Sequence, residues 1–169
     1  MVCPFGFNKD SLQMPLQFTN VKTNSEMKSF FEFIENLELQ QMQFLGLTEE
    51  DSELLLLVDN ALQTASSQFH QVELRAALRT AMETAKETNK YLNATEPWKV
   101  LKTDKERGLT ILYVALSAIN GIRVMFAPFL PFSSQDLDTM LGETTGWVRE
   151  DLKPGTALSK PKPLFQKVE

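Results

Sequence analysis

The run LTILYVALSAINGIRVMFAPFLPF, Leu109 to Phe132, sets the strongest constraint on the fold. It is about long enough to cross a bilayer as a helix. Asn120 and Arg123 sit well inside it, however, and it closes on Pro128 and Pro131, which lack the amide hydrogen that a continuing helix needs. A helix that is apolar on nearly every side, yet carries an amide and a guanidinium, is expected at the centre of a bundle rather than in lipid. The remainder of the chain then has to supply the helices that enclose it.

Residue spacing supplies them. Thr23 and Glu26 have the form of a capping box, and Met27, Phe30, Phe31, Ile34 and Leu37 follow at intervals of three and four, predicting a first helix that ends before Gly46. Thr48 opens a second, with Glu49, Glu50 and Asp51 in the first turn, where the backbone dipole favours carboxylates, and Leu54, Val58, Leu62, Ala65 and Phe69 facing the core. A third is predicted from about Gln71 to Asn93, with Leu74, Leu78, Ala81, Met82 and Ala85 on one face and Arg75, Arg79, Lys86 and Lys90 on the flanks. Thr103 and Glu106 make another capping pattern ahead of the apolar run. A short fifth helix is expected from Ser133 or Ser134 to Leu141, with Gly142 placed to end it. Long helices joined by short connections lie antiparallel. The expected fold is therefore all-α: an antiparallel bundle of four main helices, a short fifth helix and an extended C-terminal tail packed on the bundle. Pro154, Pro161 and Pro163 keep the tail extended, while Trp147, Leu152, Leu158, Leu164 and Phe165 anchor it.

Chemistry is bounded mostly by exclusion. At 169 residues with 43% hydrophobic content, the chain is the size of one soluble domain. Cys3 has no second cysteine to pair with, and with only His70 beside it no Cys/His zinc site is expected. No nucleophile elbow or phosphate-binding glycine loop appears, and His70 reads as a helix-junction residue without an acid–base partner. The stretch MVCPFGFNKD lacks the pattern of a secretory signal, so a cytoplasmic location is expected, with no membrane partner. The net charge of −5 speaks against a generic nucleic-acid binder, yet it is unevenly placed. Residues 1–60 carry 10 acidic and 3 basic side chains, and residues 61–169 carry 12 and 14.

The stretch YLNATEPWK, Tyr91 to Lys99, is the most pointed local feature. The third helix gives out, Pro97 fixes a corner, and Trp98 follows with Lys99, Lys102, Lys105 and Arg107 on the same connection. An aromatic plane beside cations suits a single-stranded loop, whose bases stack on rings while lysine and arginine meet phosphates. The same ring would serve equally as a core anchor between two helices.

NKYLNATEPWK, the long apolar helix, APFLPFSS and LKPGTALSKPKPLFQKVE occur in that order. Together they resemble the anticodon-binding helical domain of methionyl-tRNA synthetases, over roughly Gly46 to Glu169. The resemblance implies a bundle that recognises the anticodon loop of methionine tRNA, with Trp98 as the stacking platform. Lys99, Lys102 and Arg107 become candidate phosphate contacts, extended by Arg79 and Lys90 if the third helix faces the loop. It also implies a parent enzyme that joins methionine to tRNA with ATP through a catalytic domain whose signatures are absent here. No cofactor and no activity are thus expected of this chain alone, and such a catalytic domain is an expected partner. Residues 1–45 form a divergent segment with the first helix, 46–146 the anticodon-binding bundle and 147–169 the tail, one structural domain overall. The family's Asn-Arg reading pattern is not found in NVKTNSEMKSFFEFIENLELQQ, where Asn24 and Lys28 share a face only as a weak substitute. The competing expectation is a helical protein-interaction module that kept the fold without binding tRNA.

Overall fold

The computed structural model describes residues 46–142, 146–150, 152 and 164; the first helix expected from the sequence, with Asn24 and Lys28, lies outside them. Five helices follow one another among the described residues: α1 (Glu49–His70), α2 (Leu74–Thr95), α3 (Pro97–Thr103), α4 (Lys105–Phe126) and α5 (Pro131–Leu141). The all-α bundle is as expected. Helix α1 starts through a reciprocal capping box, in which the Thr48 amide donates to Asp51 Oδ2 at 2.9 Å and the Asp51 amide donates to Thr48 Oγ1 at 3.4 Å.

Several boundaries differ from the sequence expectation, each for a local reason. The corner after Pro97 is itself helical, because proline's fixed backbone and missing amide suit the first position of a helix, which it occupies in α3. Thr103 ends α3, and the cap of α4 is the adjacent Asp104, whose carboxylate accepts from the Arg107 amide at 3.0 Å. Helix α4 ends at Phe126, and Pro131 opens α5 instead of closing α4. Helix α2 begins at Leu74 because residues 71–73 form the turn. Its buried face is also rotated from the expected one, running through Ala77, Ala81, Thr84, Ala85, Thr88, Tyr91 and Leu92 while Leu74 is half exposed. Small residues allow closer helix approach than the leucines, and the threonine hydroxyls are satisfied locally: Thr84 donates to the Thr80 carbonyl and Thr88 to the Thr84 carbonyl.

Helix α4 is the centre, packed against α1, α2, α3 and α5, with Ile111, Val114, Ile122 and Met125 fully enclosed. Val58, Leu62 and Ala65 of α1 meet it from one side. The two polar residues that argued against a membrane span each tie another element to α4. Asn120 donates to the Glu150 carbonyl at 2.8 Å, fixing the start of the tail. Arg123 is buried, pairs with Asp138 of α5 and donates to the Gly142 carbonyl at 3.1 Å. Burial pushes the Arg123 guanidinium below its ordinary range, and the Asp138 carboxylate opposes that push. The tail is held further by Trp147, which donates to the Leu62 carbonyl at 2.8 Å, and by Arg149, which grips Asp59 at 2.9 and 3.0 Å.

One residue in the turn between α1 and α2 is strained. Val72 has φ of 60°, a left-handed conformation that a β-branched side chain disfavours, and it is 77% exposed, so no packing compensates. Val72→Gly is expected to stabilise the chain by about 1 kcal/mol, read as a higher urea midpoint at unchanged slope.

Candidate nucleic-acid interface

The corner that presents Trp98 is built around Glu96, which has φ of 41° and serves at once as the last cap of α2 and the first cap of α3. Its carbonyl accepts from the Lys99 amide at 2.8 Å, and its carboxylate holds Lys99 Nζ at 2.7 and 2.8 Å. Pro97 is fully buried beneath the corner, whereas Trp98 is only partly buried and Lys99 and Lys102 are exposed. The ring is therefore neither enclosed nor fully open.

Helix α3 lies against α4 at a glycine. A Cβ placed on Gly108 would sit 2.6 Å from Leu101 Cγ and Cδ2 and 3.0 Å from Leu101 Cα. The last of these is backbone and cannot rotate away. Alanine normally favours a helix interior by about 1 kcal/mol over glycine. Overpacking of about 1–3 kcal/mol outweighs that here. Gly108→Ala is expected to lower the melting temperature and to shift tryptophan emission as α3 moves outward.

Both flanks of the corner converge on one carboxylate. Asp51 is completely buried; it accepts from Tyr91 Oη at 2.5 Å and from Arg107 Nη2 at 3.0 Å on Oδ1, while Arg107 Nη1 meets Oδ2. Arg107 Nη2 also reaches Thr48 Oγ1 at 3.3 Å. Burial pushes the Asp51 carboxyl up, but hydrogen bonds from Arg107, Tyr91 and Thr48 outweigh it and hold the group down at about 2. The Tyr91 phenol is driven up by burial and by the neighbouring carboxylate, and the Asp51 hydrogen bond raises Arg107. Tyr91 lies before the corner and Arg107 after it, so α3 is strung between two residues anchored to the same side chain of α1.

Arg107 is thus placed differently from the sequence expectation. A guanidinium was expected to meet phosphate, and the structure engages it with Asp51, three quarters withdrawn from solvent at 25% exposure. Arg79 and Lys90 are exposed on α2, and Lys90 pairs with Glu87 at 3.2 Å. Trp98, Lys99 and Lys102 share α3. Asp51, Tyr91 and Gly108, which hold the corner in place, were not singled out as site residues from sequence. Asp51 was visible only as a first-turn acid, and contacts 40 and 56 residues away leave no local pattern.

Comparison with known proteins gives a consistent set of likenesses. Residues 45–169 match the family model described as the anticodon binding domain of methionyl tRNA ligase. A methionine–tRNA ligase of Roseiflexus castenholzii is 35% identical over 154 aligned residues, which cover 73% of this chain and 26% of that protein. One from Dehalococcoides mccartyi is 42% identical over 130, covering 74% and 22%. The chain therefore spans about a quarter of the length of these curated relatives. In fold it is similar to the apo methionyl-tRNA synthetase of Mycobacterium tuberculosis, with a TM-score of 0.78 at 21% identity over 96% of this chain and 35% of that one.

Proposed function

The chain belongs to the family of anticodon-binding domains of methionyl-tRNA ligase, and from that premise we propose that its α3 corner receives the anticodon loop of methionine tRNA. The observation that carries the proposal is the partly exposed Trp98 on a short helix whose two flanks are tied to buried Asp51. A ring held in place before the ligand arrives binds a base without the entropic cost of first being ordered. In this reading Trp98 stacks on a loop base and the exposed Lys99 and Lys102 lie beside it for phosphates. Arg107 acts from beneath by fixing the corner.

The wider activity that this recognition serves is the joining of methionine to its tRNA. Activation of methionine with ATP would belong to a catalytic domain partnering the bundle, in the cytoplasm. The chain by itself is then expected to show no methionine-dependent ATP–pyrophosphate exchange.

The test uses a labelled RNA hairpin with CAU at the anticodon position and a second with that triplet changed. Anisotropy at low salt is expected to show binding of the first and weaker binding of the second. If neither hairpin binds at low salt, the anticodon reading is wrong for this chain.

A further inference from the structure

Charge is partitioned between the two long helices that flank α4. Helix α1 carries Glu49, Glu50, Asp51, Glu53 and Asp59 and no lysine or arginine. Helix α2 carries Arg75, Arg79, Lys86 and Lys90 against Glu83 and Glu87. At 3.6 residues per turn the four cations fall within an arc of about 60°, together with Asn93, and that arc holds no carboxylate. It lies opposite the buried face through Ala77, Ala81, Thr84, Ala85 and Thr88, and all four cations are exposed. Only Lys90 is in an ion pair; Arg75, Arg79 and Lys86 have none among the described residues. Four cations are aligned along about 22 Å of helix, with Glu83 and Glu87 bordering the arc on one side only, so the outermost face of α2 carries a single sign.

We propose that this stripe is a second RNA contact that grips the backbone of the double-stranded stem adjoining the loop bound at Trp98. The inference rests on the anticodon reading above and extends it from the loop to the stem. The stripe ends at Lys90 and Asn93, a few residues before Pro97, so it runs away from the corner along the body of the bundle. Helix α2 runs directly into the corner, so a stem that follows the body of the bundle away from Trp98 along α2 meets the stripe. Exposed Glu49, Glu50 and Glu53 at the start of α1 repel it, Asp51 and Asp59 being held by Arg107 and Arg149, and the stripe on α2 attracts it. Double-stranded RNA is held through its shape and its phosphates, and side chains do not read its deep major groove. The contact is therefore expected to add affinity and salt dependence with little sequence preference.

The test compares the full chain with its R75Q/K86Q variant, which leaves the loop candidates Arg79 and Lys90 in place, on two RNAs at several salt concentrations. One RNA is the CAU hairpin, and the other is the same loop sequence as a single strand without the stem. Both substituted side chains are exposed, and thermal melting of the variant checks that the bundle is intact. The variant is expected to bind the hairpin about tenfold or more weakly at low salt. The slope of log affinity against log salt should fall by about 2. Binding of the single-stranded loop should be unchanged. If the variant keeps hairpin affinity and slope while Trp98→Ala weakens both RNAs, the stem contact is refuted and the anticodon reading stands. If both RNAs weaken equally, the stripe touches the loop and the stem assignment is overturned. If the unaltered chain binds neither RNA, the anticodon reading falls and the stem contact falls with it.

Discussion

Asp51→Ala is expected to lower stability by about 3–5 kcal/mol, because it leaves the Arg107 guanidinium and the Tyr91 hydroxyl facing a cavity where their partner was. A loss of that size shifts a melting temperature by about 10 °C in a chain of this length. Asp51→Asn keeps the shape and removes the charge, so it should fall between the variant and the unaltered chain. The same carboxyl gives a signature in acid. Its folded value of about 2 lies below the ordinary 3.8, so its contribution is complete above the higher figure and is lost as pH falls through the lower one. That contribution is about 2 kcal/mol. Urea midpoints measured at pH 7 and pH 2.5 should converge between the unaltered chain and Asp51→Asn. Equal gaps at both values would show that Asp51 acts through packing alone.

Trp98→Ala carries the largest expected effect on binding. Stacking on an aromatic ring contributes about 1–3 kcal/mol per base, so affinity for the CAU hairpin should fall by about 5- to 150-fold. Trp98→Phe retains a stacking plane and should recover most of that loss. Melting curves separate this from damage to the bundle, since the ring is only partly buried. An alanine variant that bound the hairpin as well as the unaltered chain would make Trp98 a packing residue between α3 and its surroundings.

The bundle was legible in the sequence because its signals are local. Thr48 followed by three acids marks the start of α1, Leu54, Val58, Leu62 and Ala65 repeat at helical intervals, and Asn120 and Arg123 in an apolar run already pointed to the centre of a bundle rather than to lipid. The family resemblance rested on the same kind of contiguous stretch. Two classes of feature were not legible. Competing caps one residue apart, Thr103 and Asp104, give the same pattern in sequence, and only the hydrogen bond to the Arg107 amide separates them. The rotation of α2 was hidden because hydrophobicity favours Leu74 and Met82, while close approach favours the alanines and threonines that the helix in fact buries. Arg107 combines both difficulties: a cation near an exposed corner looks available until a carboxylate 56 residues earlier in the chain is seen to hold it.

The position of α4, touched by every other described helix, has a consequence for the timescale on which parts of the chain open. Amides in its middle can meet solvent only when the whole bundle comes apart, so their exchange with deuterium should report the global unfolding free energy. Beyond buried Pro97, which has no amide hydrogen, the residues of α3 are partly or fully exposed, and their amides should exchange through small local openings. Among the described helices α3 is then expected to open more readily than α4, and on the reading proposed above bound hairpin should protect α3 amides well before it alters those of α4.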